Sequence, residues 1–221
     1  MEDGRMGIGL SRKDLMFRHP FNMIIGGASG SGKTEWVCKF VEHYKHLVQP
    51  EIEHVVYCYG VYNANVVTME SRGVETHFGL PSETMIRQRK KPLLLILDDL
   101  MMEAKSEFMD LLFTRGSHHW GVSILFITQN MFEKSLKTAR NNAHYIVLLR
   151  NPSGQLQIRN LGTQLFPRNL PYFMDAYKDA TSQNYGYLLI DMHPSSPELV
   201  RLRTNVFMDA PDVVYTPKLV T

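Results

Sequence analysis

The chain has 221 residues, 44% of them hydrophobic and 21% charged, with a formal net charge of +2. These values describe a globular chain able to bury a large core and exclude a polycation that coats nucleic acid over its whole surface. No apolar run reaches the length of a membrane span, "MEDGRMGIGLSRKDLMFRHP" lacks the core of a secretory leader, and Cys38 and Cys58 lack metal-ligand spacing. An intracellular, soluble protein with no membrane contact and two buried, reduced thiols is expected.

Phe21, Met23, Ile24 and Ile25 form a short apolar run that stops at Gly26-Gly27, as a buried strand ended by a turn does. The pattern G-x-x-x-x-G-K-[ST] follows, filled by Gly27, Ala28, Ser29, Gly30, Ser31, Gly32, Lys33 and Thr34. Beyond it, Val37, Phe40, Val41, Tyr44 and Leu47 recur at three- and four-residue spacing, the stripe of an amphipathic helix. Strand, glycine loop and helix together are the context of a phosphate-binding loop, the P-loop or Walker A motif. Glycines let backbone N–H groups approach the phosphates, and the helix N-terminus turns its positive end toward the anion. Lys33 is placed to reach the β- and γ-phosphates of ATP, and the Thr34 hydroxyl to ligate Mg²⁺.

Further apolar runs, "HVVYCYG", "PLLLILDD", "GVSILFITQ", "HYIVLLRN" and "YGYLLIDM", alternate with helical stretches at 33–47, 104–115 and 169–180. Continuous apolar strands separated by helices predict a three-layer α/β/α fold around a mostly parallel sheet. Residues 1–19 read as an N-terminal arm, 20–207 as the ATPase domain with an edge strand in "RLRTNVF", and 208–221 as a mobile tail.

The run Leu93–Leu97 ends in Asp98 and Asp99. Ligands of open α/β sheets bind at the carboxyl ends of strands, so this Walker B pair faces the phosphates. Asp98 suits the acid that anchors Mg²⁺, and Asp99 a second carboxylate that polarises the attacking water. No N-K-x-D guanine-reading motif and no L-S-G-G-Q-like signature occurs, which argues against a GTPase and an ABC-type ATPase. Gln129 and Asn130 end the run Val122–Thr128; Gln129 either caps the strand or holds water beside the γ-phosphate. Arg115 is a candidate for an arginine offered to a neighbouring subunit's nucleotide, with Arg140 and Arg150 as rivals. Adjacent His118 and His119 lack the partners of a zinc site and suit a contact loop. The basic runs, Arg87–Lys91 and the arm with Arg5, Arg12, Lys13 and Arg18, are either solvated surface or DNA contacts. Phe17 and Phe21 are either core residues or platforms for a base.

Together, "HPFNMIIGGASGSGKT", "LLLILDDL" and "TRGSHHWGVSILFITQN" resemble the genome-packaging ATPases of double-stranded DNA viruses, above all the poxvirus type and its virophage and Polinton relatives, within the FtsK–HerA superfamily. The resemblance covers roughly residues 17 to 192. It implies an additional strand, that of Gln129, between the Walker A and Walker B strands. It also implies a homo-oligomeric ring, Arg115 supplied in trans, sequence-independent double-stranded DNA as partner, and possible contact with capsid proteins in an infected cell or virion. The second acid is Asp99 where the superfamily more often has glutamate. The alternative from the residues alone is a small-molecule kinase of nucleotide type, with Arg150, Arg159 and Arg168 as lid arginines.

Overall fold

In the computed structural model, residues 11–98, 100, 106–207 and 209–217 are described; Asp99 and Arg5 lie outside the described residues. A short helix α1 (Arg12–Leu15) precedes β1 (Phe17–Arg18), β2 (Asn22–Gly26), helix α2 (Lys33–Leu47) and β3 (Val48–Gln49). Next come β4 (His54–Tyr59), α3 (Ala64–Ser71), β5 (Glu75–Phe78), α4 (Glu83–Gln88) and β6 (Leu93–Asp98). Helix α5 (Ser106–Leu111) continues through a π-helical turn (Leu112–Gly116) into α6 (Ser117–Trp120) and β7 (Val122–Thr128). Then α7 (Lys137–Asn141), β8 (Tyr145–Leu149), α8 (Gln155–Leu165), α9 (Leu170–Ala180), β9 (Tyr187–Asp191), β10 (Leu202–Thr204) and β11 (Val213–Tyr215) complete the order.

Nine strands form one sheet in the order β11-β10-β9-β8-β2-β7-β6-β4-β5. From β8 to β5 the neighbours are parallel, while β9, β10 and β11 add an antiparallel flank. The expected insertion is present: β7 pairs with β2 on one side and β6 on the other. The strands read as unbroken apolar runs because both faces are covered. Alternate residues Ile24, Leu95, Leu97, Ile124 and Phe126 join one core with Ile158 and Leu161 of α8 and Phe173 of α9. Their neighbours Met23, Ile25, Leu94, Ile96 and Leu125 join the other with Trp36, Val37 and Phe40 of α2. Three layers result, and no helix among the described residues is long and apolar enough to cross a membrane.

Of the two readings of Phe17 and Phe21, the core one holds: both are fully buried and pack edge-on to Tyr145, so neither can receive a base. Two boundaries differ from those expected. The arm therefore joins the core before residue 20. Nor is the chain after 207 only a tail: Val213–Tyr215 pairs with β10, and the Tyr172 hydroxyl donates to the Tyr215 carbonyl. "RLRTNVF" is thus not the edge. Its Arg203 is wholly buried against Asp191 at 3.1 Å and donates to the Leu15 carbonyl at 2.6 Å, tying arm to sheet. Burial pushes the Asp191 carboxyl up, and the guanidinium beside it pulls the other way.

The basic run before β6 is bound to its own protein. Arg87 pairs with Glu83 and lies over Trp120, Arg89 forks onto Glu75, and Lys91 donates to the Ile86 carbonyl. Burial pushes the Lys91 ammonium down to about 8.

At the same end, His19 Nδ1 lies 2.6 Å from Ser123 Oγ, which also accepts the Phe21 N–H at 3.1 Å. The Ser123 hydroxyl keeps its own proton for the ring, a bond that a neutral His19 accepts at Nδ1 in one tautomer and a protonated ring cannot. Burial pushes His19 down to about 4, opposed by a hydrogen bond to the Gly121 carbonyl and aided by the Lys91 charge. Between pH 4 and the ordinary value of 6.5 the unfolded chain holds this proton and the fold does not, so stability rises with pH across that window. The thermal unfolding temperature should therefore fall on acidification through the window, and His19→Gln should flatten the dependence. An identical slope in the variant would assign the effect elsewhere.

Candidate nucleotide-binding site

The loop between β2 and α2 owes its shape to its glycines. Gly30 and Gly32 sit at φ 72° and 96°, a left-handed conformation that other residues rarely adopt. A side chain at Gly27 would meet Ser31 Oγ at 2.6 Å and Leu149 Cβ at 2.9 Å. The loop closes on itself through Ser31 N–H to the Ala28 carbonyl at 3.2 Å, and α2 begins with Trp36 N–H to Gly32 at 2.9 Å. Lys33 Nζ curls back to donate to the Gly27 and Ala28 carbonyls at 2.9 and 2.8 Å. Its ammonium thus lies over the loop whose N–H groups suit an anion.

One cleft of about 340 Å³ opens at the carboxyl ends of the strands. It brings together Ser29, Gly30, Gly32, Lys33 and Thr34 with Asp98 from the end of β6 and Gln129 from just beyond β7. Gly27, Ala28 and Ser31 do not line it; they shape the loop behind it. Asp98 is buried, and the Tyr57 hydroxyl donates to its Oδ2. Strand register explains this contact, since β4 and β6 align Tyr57 with Ile96 and Tyr59 with Asp98. Gln129 is exposed, and the chain turns after it as Asn130 N–H bonds Thr128 Oγ1 at 3.1 Å.

The arginines separate. Arg115 is exposed on the π-helical turn, outside the cleft lining. Arg140 donates to the Met131 carbonyl at 2.6 Å, so it braces the loop after Gln129. Arg150 is exposed beyond β8, and Arg159 and Arg168 are exposed on α8 and the turn after it; none lines the cleft, so no lid of arginines forms over it. His119 is exposed, and the side chain of His118 lies outside the described residues.

Tyr57, Tyr59, Asn63, Asn65 and Tyr185 were not picked out by sequence reasoning. The signal for Asn63 was available in "YNANVVTME", where asparagine precedes a helix: its side chain caps α3 by accepting Asn65 N–H at 2.9 Å. Tyr57 and Tyr185 carry no such signal, because only strand register sets Tyr57 behind Asp98 and only turn geometry brings Tyr185 to the cleft.

Residues 9–191 match the sequence family described as the poxvirus A32 protein. The chain belongs to that family. It is a viral genome-packaging ATPase, and the kinase alternative is not favoured. Among curated proteins none is a significant match to this A32-family chain. Of solved structures, the genome packaging NTPase B204 of Sulfolobus turreted icosahedral virus 2, in complex with AMPPCP, is similar at 13% identity and TM-score 0.49, over 90% of this chain and 98% of that one. EssC ATPases 2 and 3 of Geobacillus thermodenitrificans align at 14% identity and TM-score 0.45, over 67% of this chain and 34% of that one. The cytoplasmic domain of the type VII secretion ATPase EccC of Thermomonospora curvata gives 10% identity and TM-score 0.43, over 62% and 20%. With TM-scores below 0.5 these likenesses are weak, and the family assignment of this A32 relative rests on the sequence match.

Proposed function

We propose that this ATPase hydrolyses ATP to ADP and phosphate in the β2–α2 cleft to drive double-stranded DNA, without regard to sequence, into a capsid. The observation that carries the reading is the convergence on one cleft of Lys33 from the start of α2 after β2, Gln129 from just beyond β7 and Asp98 from the end of β6, three strands adjacent in the sheet. Lys33 would exchange its loop carbonyls for the β- and γ-phosphates. The donors Thr34 and Asp98 are hard oxygens facing one space, the set that suits Mg²⁺. Bound there, the ion would offset phosphate charge. Gln129 would hold the attacking water, with Asp99 as the second carboxylate. In a ring of copies, exposed Arg115 would reach a neighbour's nucleotide and stabilise charge as it develops there.

DNA without sequence preference is held through its phosphates, so the grip is salt-sensitive. Long double-stranded DNA of any sequence should raise the steady-state hydrolysis rate at low salt, and moderate salt should erase much of that gain. A rate indifferent to DNA at both salt levels would sink the translocation reading and leave the ATPase.

A further inference from the structure

The cleft has two chemically unlike ends. Asp98, Tyr59 and Gln129 stand on the β6–β4 side of the glycine loop. On the other side, toward β8 and β9, the wall is Gly32, Glu35 and Tyr185. A triphosphate whose terminal group meets the carboxylate end would lead its nucleoside out at the Tyr185 end.

Tyr185 is held there in an unusual way. It is 64% exposed, on the turn between α9 and β9. Its backbone sits at φ 62°, which is rare for a bulky residue, and such outliers gather at ligand sites. The turn is fixed by Gly186 N–H to the Gln183 carbonyl at 3.1 Å. The ring itself rests on the glycine loop: a side chain at Gly32 would meet Tyr185 Cδ1 at 2.5 Å. One part of the ring is thus anchored on the loop, and the rest stands in solvent. It also borders a recess lined by Trp36, Lys39, Tyr187 and Phe207, which leaves open space beside it.

We infer that Tyr185 is the platform on which the nucleobase stacks. The inference rests on the reading of the cleft as a nucleotide site. An aromatic face binds any base, so the platform detects that a base is present and does not choose which one.

The test uses the full chain and three ligands, with affinities read by calorimetry in the presence of magnesium: a non-hydrolysable ATP analogue, its GTP counterpart, and inorganic tripolyphosphate. Tyr185→Asn removes the ring while keeping a residue that tolerates the left-handed backbone. It should weaken both nucleotides by roughly tenfold, the size of one base–aromatic contact, and leave tripolyphosphate unchanged. Tyr185→Phe keeps the ring and should bind all three as the unaltered chain does. Unchanged nucleotide affinity in Tyr185→Asn would overturn the inference and leave the cleft reading intact. Equal weakening of tripolyphosphate would overturn it too, since the ring would then only brace the loop. Failure of the unaltered chain to bind any of the three would remove the cleft reading and the platform with it.

Discussion

Lys33→Ala should bring ATP hydrolysis down by about a hundred- to a thousandfold, the range seen when one charge-stabilising donor is removed from a transition state. The reason lies in what surrounds the ammonium. Lys33 Nζ is held 2.9 and 2.8 Å from two loop carbonyls, and those neutral acceptors are easily traded for phosphate oxygens that carry full charge. In the transition state charge would build on the phosphate oxygens, and an ammonium released from those carbonyls would meet it at short range. Alanine leaves the glycine turns untouched, because Gly30 and Gly32 keep their left-handed backbone whatever follows them. The variant should therefore melt close to the unaltered protein while failing to turn over. Phosphate release measured beside a thermal melt checks both halves. Ordinary turnover in a folded Lys33→Ala protein would remove Lys33 from the chemistry.

Asp98→Asn should produce a loss of similar size, again about a hundredfold or more, by a different route. The amide has the shape of the carboxylate and can still accept the Tyr57 hydroxyl, so the end of β6 keeps its register against Tyr59 and Ile127. What is lost is the negative charge that, with Thr34, would hold Mg²⁺. The rate should fall, and the magnesium concentration needed for half-maximal rate should rise. Tyr57→Phe provides the contrast: it frees one lone pair of Asp98 without removing charge, and should cost only a few-fold, in line with about 1 kcal/mol for one hydrogen bond. A titration of rate against magnesium for the three proteins separates these outcomes. An unchanged magnesium requirement in Asp98→Asn would show that the carboxylate does not ligate the ion.

The sheet was legible from the chain because strands covered on both faces carry unbroken apolar runs, and the glycine loop because its residue types have few other uses. β7 is a partial case. Its apolar run marks a strand, but its seat between β2 and β6 came from the family resemblance, since neighbour order leaves no local trace. Helix α8 was missed in "GQLQIRNLGTQL": it is polar on most sides, burying mainly Ile158, Leu161 and Gly162, so its stripe is thin. The basic run at Arg87–Lys91 looked like an exposed patch because its partners, Glu75 and Trp120, lie on other elements. Of the cleft, the members with motif chemistry were readable. Tyr57 was not, since a tyrosine inside "HVVYCYG" differs from a core residue only by which hydroxyl partner the register supplies. Tyr185, in the polar stretch "TSQNYGY", has no periodicity to mark it, and its place depends on one turn.

The two cores filled by alternate residues of the same strands have a consequence for how such a protein can vary. A one-residue insertion inside β2, β6 or β7 would send each side chain beyond it to the opposite face, scrambling both cores at once. Residues 59–63 and 185, by contrast, sit at or just past the end of β4 or just before β9 begins, where a loop can lengthen without disturbing either face. Divergence is therefore channelled: the strand interiors drift only by apolar exchange of similar volume, while the rim that meets nucleotide is free to be rebuilt. Two members of one lineage could keep the same partition of side chains, with Lys33 and Asp98 in place, and differ in the loops around them.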